Sequence, residues 1–187
     1  MADRALALRA AWGGKPVVLA VGRLVGYKGF DVLLRAVAGL DVTTVIVGAG
    51  PEEARLRALA PRGVVFAGRV ADGDLPAYYH ACDLFCLPSL TIAEAFGVVL
   101  LEALACGKPL VTTALRTGVT AVNRDGVTGL VVPPGDAGAL GEALRSLTGD
   151  AARRKAMGTA GRRAVEQEYT AALMADRYLT LYREAVG

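Results

Sequence analysis

The sequence predicts an α/β domain, a doubly wound parallel sheet of six strands formed as a single unit over residues 1–187. Three observations predict it. Short apolar runs recur without the in-out alternation of a half-exposed strand, as strands covered on both faces require. Helical patterns separate these runs, the alternation that produces parallel crossovers. The chain is 53% hydrophobic and 21% charged over 187 residues, enough to build a core without disulfide or metal staples.

Taken in order, Asp3 to Trp12 reads as a short Ala-rich helix with Gly13-Gly14 as its exit. Val17 to Val21 is the first strand, and the glycine-rich loop Gly22 to Gly29 leads to a helix from Phe30 to Leu40. Thr43 to Val47 is the second strand. After Gly48-Ala49-Gly50, a helix is expected from Pro51 to Ala60, with Pro51 at its first position and Glu52-Glu53 in its first turn. Two acids there argue against an anion site. Val64 to Ala67 is the third strand, and a helix from about Asp74 to Ala81 follows. Its Tyr78 and Tyr79 read as packing residues and its lone His80 as structural. Asp83 to Leu87, Leu110 to Thr113 and Gly129 to Val132 complete the strands. Asp136 caps a helix to about Leu147. Two further helices, Ala151 to Gln167 and Thr170 to Ala185, fill residues 151–187. The last carries Leu173, Tyr178, Leu179 and Tyr182 along one side, a stripe it must fold onto the domain or expose.

The stretch Pro88 to Pro109, between the fourth and fifth strands, carries the chemistry. A helix opening near Gly97 aims the N–H groups of Gly97, Val98 and Val99, with its positive dipole end, into a loop crevice. That is a ready anion site. Gly97 lacks a Cβ, so an oxyanion is expected to approach its backbone closely. Glu102 lies about one turn beyond and Glu94 sits in the loop, each an acceptor suited to sugar hydroxyls. Glu94 is the only charge between Leu84 and Leu101, an expensive place for one. Phosphate flanked by two carboxylates suits a nucleotide-sugar. Arg23 and Lys28 bracket the loop after the first strand, a planar fork and a mobile point charge for oxyanions. That loop has neither the P-loop nor the dinucleotide glycine spacing. Arg23, Val70, Glu94 and Gly97 each follow a different strand, so all four should meet at the C-terminal rim of the sheet.

Pro88-Ser89, Glu94-Ala95-Phe96-Gly97, Glu102-Ala103 and Cys106-Gly107-Lys108-Pro109 resemble the donor-site motif of retaining family-4 (group 1) glycosyltransferases of GT-B fold. The resemblance runs from Val21-Gly22-Arg23-Leu24 to Tyr182-Arg183 and corresponds to the C-terminal half of such an enzyme. It implies a Rossmann-like donor-binding domain of a hexosyltransferase, with a nucleotide-sugar as substrate and neither metal nor other cofactor. In the catalytic set it implies, Arg23 and Lys28 bind the donor's distal phosphate and Glu94 lies at the sugar. In the donor-binding set, the Val70 backbone meets the base, Phe96, Gly97, Val98 and Val99 line the donor, and Glu102 holds the ribose. Thr117-Gly118-Val119 matches a small-residue loop beneath the sugar, although Arg116 is bulkier than the Gly or Pro usual there. The N-terminal acceptor domain is expected to be missing, leaving an incomplete catalytic unit that needs that domain as partner. A phosphorylase or epimerase of the same fold matches the spacing less well. A non-catalytic nucleotide-binding or regulatory module on the same sheet is the alternative, and it would bind nucleotide regardless of Glu94. A nicotinamide oxidoreductase is excluded by the missing Gly-x-Gly-x-x-Gly and the missing acid after the second strand.

The net charge of +3 is mild. Arg153-Arg154-Lys155 and Arg162-Arg163 read as a solvated helix face, the sharper reading being peripheral contact with anionic lipid at the inner face of a membrane. Nothing resembles a nucleic-acid module. No apolar run reaches spanning length and Met1-Ala2-Asp3-Arg4 opens no signal core, so a cytoplasmic protein is expected. Cys82, Cys86 and Cys106 lie in apolar surroundings and read as buried reduced thiols, since Cys82, Cys86 and His80 fall short of a four-ligand zinc set.

Overall fold

The structure, a computed structural model, describes residues 2–186. Its strands are β1 (Val17–Val21), β2 (Thr43–Val47), β3 (Val64–Gly68), β4 (Leu84–Leu87), β5 (Leu110–Thr113) and β6 (Gly129–Val132). They form one six-stranded sheet in the order β3-β2-β1-β4-β5-β6, every pairing parallel. The order reverses between β1 and β4, and a crevice opens there at the C-terminal strand ends. The helices are α1 (Ala2–Ala11), α2 (Phe30–Val37), α3 (Glu53–Leu59), α4 (Leu75–Ala81), α5 (Val98–Ala105), α6 (Gly118–Val122), α7 (Ala137–Gly149), α8 (Ala151–Glu168) and α9 (Ala171–Val186).

Alternate residues of each strand feed opposite faces. Val18 and Ala20 join Ile46, Val111, Leu33 of α2 and Leu144 of α7 in one core. Val17, Leu19 and Val21 join Val45, Phe85, Tyr79 of α4 and Leu100 of α5 in the other. All five β1 residues are buried, which is why the strand reads as an unbroken apolar run. Burying each such Val or Leu contributes about 1.5–3 kcal/mol. β3 differs: it is one of the two sheet edges, only half covered, with Val65 37% exposed.

Polar fastenings hold the far end. Asp83 accepts two bonds from Arg9 of α1, at 2.9 and 3.1 Å, and one from the Val17 amide at 2.8 Å. Lys108 donates to the carbonyls of His80 (3.1 Å) and Cys82 (2.7 Å), closing the C-terminus of α4. Asp136 caps α7 as expected, accepting from the Ala139 amide at 2.9 Å.

Several expectations are corrected. α3 begins at Glu53, because the Glu52 amide bonds the Leu24 carbonyl at 3.1 Å and holds Pro51 and Glu52 in a turn. Glu52 and Glu53 pair with Arg55 and Arg57. α2 stops at Val37, where the Leu40 amide turns back to the Val37 carbonyl. The segment read as a loop at Thr117 to Val119 enters the short helix α6, capped by Thr117. Of the two outcomes open to the α9 stripe, exposure is the one observed: Tyr178, Leu179 and Tyr182 are all more than half exposed and Leu173 is half-buried.

Candidate functional site

Two loops separated in sequence build the crevice. The loop after β1 contains a tight 3-10 turn over Gly26–Lys28 and ends at Gly29, whose φ of 68° favours glycine. A Cβ on Gly29 would stand 2.1 Å from the Pro88 carbonyl oxygen. The Leu90 amide donates to the Tyr27 carbonyl at 2.7 Å. The β1 loop therefore lies directly against the β4 loop.

Lys28 and Glu94 meet at this junction. The Lys28 side chain runs over Gly22, and its Nζ donates to Glu94 Oε2 at 2.5 Å. The side chains are 12% and 8% exposed. Ser89, fully buried, donates its hydroxyl to the same oxygen at 2.9 Å. A second acceptor site on Glu94, Oε1, has no partner among the described residues. Lys28 and Glu94, expected in separate tasks, are paired here, and the cation's charge and the serine bond offset the desolvation of the carboxylate.

Three residues beyond Glu94, Gly97 stands at the N-cap of α5 with φ 74°. Among the described residues nothing accepts from the amides of Gly97, Val98 or Val99, and the first turn closes only with Leu100 N–H to the Gly97 carbonyl at 2.8 Å. The backbone angle and core packing add their own reasons for glycine there: a Cβ would point at Leu87 and Leu100, at 3.0 and 3.1 Å. Phe96 packs its ring on Gly118 and near Tyr169 (centroids 6.4 Å apart), which props the loop on α6.

Arg23 is exposed and pairs with no carboxylate among the described residues. It lines a cavity of about 300 Å³ with Gly22, Gly48, Arg69, Val70 and Asp72. A second cavity, about 310 Å³, is lined by Tyr79, Glu102 and Cys106, and shares Asp72 and Leu75 with the first. Arg23, Val70 and Glu102 thus lie along one groove, which Lys28 and Glu94 adjoin through Gly22. Asp72, at the junction, accepts no hydrogen bond among the described residues.

Tyr79, expected to pack, has a second task. Its ring is buried against Phe85 (centroids 5.7 Å apart), and its hydroxyl donates to Glu102 Oε2 at 2.6 Å. Burial first, then the bond to Glu102, pushes the Tyr79 hydroxyl well above the ordinary phenol range, so it acts as a fixed donor. No spacing rule connects residues 79 and 102, and only Tyr79's place on the helix flanking the groove hinted at a partner. His80 is exposed and supports α4 through its carbonyl alone. The cysteines are free thiols, Cys82 and Cys86 buried but Cys106, against expectation, only half-buried, and burial pushes Cys82 up to about 12. Among the described residues no three His, Cys, Asp or Glu side chains gather as a metal set, and no helix is long and apolar enough to cross a membrane.

The family described as "Glycosyl transferases group 1" matches residues 9–164. The chain is 37% identical over 173 residues to O-antigen chain mannosyltransferase C of Escherichia coli, covering 90% of this chain and 47% of that protein. It is 38% identical over 175 residues to a GDP-mannose-dependent monoacylated alpha-(1-6)-phosphatidylinositol monomannoside mannosyltransferase of Corynebacterium glutamicum, covering 87% and 45%. The Anabaena protein HepE, solved in complex with UDP and glucose, superposes with a TM-score of 0.85 at 26% identity over 96% of this chain and 52% of that one. The chain spans about half the length of the curated relatives it matches.

Proposed function

The chain belongs to the group 1 glycosyltransferases, and we propose that it is the donor half of a retaining, metal-independent hexosyltransferase that binds a nucleotide-sugar in the crevice between β1 and β4. The observation that carries this reading is the junction itself: Lys28 and Glu94 paired at 2.5 Å beside the open amides of Gly97 to Val99.

Arg23, Lys28 and those amides hold the diphosphate. As the sugar–phosphate bond breaks, electrons pass to the leaving diphosphate, and these fixed donors stabilise its growing charge. Two cations and a helix end supply what a divalent ion would otherwise provide. Glu94, tied to Lys28 and Ser89, has one oxygen left for sugar hydroxyls. That fits a holding role better than a nucleophile's, so the retaining reaction is read without a covalent glycosyl-enzyme. The Val70 backbone meets the base and Glu102 the ribose. Asp72 suggests which base: a carboxylate complements the two adjacent N–H donors of the guanine edge, whereas uracil offers one N–H between two carbonyls. The donor is therefore read as a GDP-hexose, in keeping with the name of the Corynebacterium relative. The acceptor side of the cleft belongs to the half of the relatives' length that this chain does not span, and that N-terminal half is the expected partner. The setting is read as cytoplasmic, with the exposed Arg153, Lys155, Arg162 and Arg163 of α8 as a candidate for peripheral membrane contact; Arg154 instead packs inward and donates to the Leu147 and Thr148 carbonyls.

Calorimetric titration with GDP-mannose and UDP-glucose tests the reading. Arg23→Ala should weaken GDP-mannose at least tenfold, and Asp72→Asn should remove the preference for guanine. Binding indifferent to Arg23 would contradict the diphosphate site.

A further inference from the structure

Tyr79 is a buried hydroxyl at the groove wall that no step of the proposed reaction uses. We propose that Tyr79 is a positioning residue which fixes Glu102 for the ribose diol, so that the groove selects ribonucleotides over deoxyribonucleotides. This rests on the donor-site reading above.

The argument starts from Glu102. It lies on the exposed side of α5, where a glutamate has several free rotors and ordinarily sweeps a wide volume. Here one oxygen is taken at 2.6 Å by the Tyr79 hydroxyl. The phenol is itself immobile, since its ring is 2% exposed and packed on Phe85. Oε1 of Glu102 has no partner among the described residues, and the residue lines the same cavity as Tyr79. The pair therefore presents one acceptor in a set place. A ribose arriving from Val70 brings two vicinal hydroxyl donors to it. A ligand lacking them leaves that oxygen without the bond it was held for. The tyrosine proton is not released at working pH, because burial and the neighbouring carboxylate both oppose ionisation. The single Tyr79 proton is committed to Oε2, so donors to Oε1 must come from the diol.

The test crosses a protein hydroxyl with ligand hydroxyls. GDP and 2′,3′-dideoxy-GDP are titrated calorimetrically into the wild-type chain and Tyr79→Phe, which keeps the ring and its packing. Wild type should prefer GDP at least tenfold. In Tyr79→Phe that preference should fall to about two- or threefold, with dideoxy-GDP affinity unchanged. A variant that weakens both nucleotides equally, or keeps the wild-type ratio, overturns the positioning role while leaving the donor site standing. A wild type that binds both nucleotides equally overturns the placement of ribose at Glu102 as well. The wild-type chain also supplies a check independent of any variant's folding. The Tyr79 hydroxyl proton resonance should move when GDP is added and stay in place with dideoxy-GDP; a resonance that responds identically to both refutes the proposal.

Discussion

Thr44 Oγ1 is a buried side-chain oxygen with no hydrogen-bond partner among the described residues. An unmet buried hydroxyl costs about 1–3 kcal/mol, so Thr44→Val, close in shape, should raise stability by about 1 kcal/mol in urea unfolding. The Lys28–Glu94 pair predicts the opposite sign. Lys28→Met leaves Glu94 buried beside Ser89 alone and should destabilise by about 3 kcal/mol, while adding Glu94→Gln should recover part of the loss. Cys82 sets an alkaline limit. Burial raises its thiol from 9.0 to about 12, so above pH 9 the unfolded chain releases a proton that the folded chain keeps. Its share of stability is full below pH 9 and declines toward pH 12, so the urea midpoint should fall between pH 8 and pH 10.5. Arg23, Lys28 and Glu94 were legible as candidates because a charge in an apolar or glycine-rich run stands out. Their pairing was not, since Lys28 and Glu94 lie 66 residues apart and Tyr79 and Glu102 lie 23 apart. Only the fold brings them together.

The β1 loop and the β4 loop stand or fall together. Gly29→Ala would drive a methyl to 2.1 Å from the Pro88 oxygen at a left-handed φ, so it should cost at least about 2 kcal/mol and abolish nucleotide binding. A variant of unchanged stability in a thermal melt would show that the loops do not clasp. α9 gives the contrasting case. With no buried residue, its removal after Thr170 should shift the melting temperature by less than about 2 °C. Elements were legible where burial on two faces erases alternation, as in β1, β2, β4 and β5. They were misread where a tertiary bond overrides local preference. The Leu24 carbonyl delays α3, and packing under the Glu94–Phe96 loop lets α6 form where small residues suggested a loop.

A doubly wound sheet has one place where neighbouring crossovers part, and in this molecule it lies between β1 and β4. The strand-helix alternation made a doubly wound parallel sheet readable in advance, but not the order of its strands. What alternation could not give was the groove's internal wiring, which depends on side-chain bonds across it. A ligand held there should stabilise the whole sheet, by about 2.7 kcal/mol at a hundredfold excess over its dissociation constant. The decisive measurement is a backbone NMR titration of the chain with GDP. The amides of Gly22 to Gly29 and of Ser89 to Val99 should shift together and saturate with one constant. Shifts confined instead to the basic face of α8, around Lys155, Arg162 and Arg163, or none at either loop under saturating nucleotide, would contradict a diphosphate site at the β1–β4 crevice.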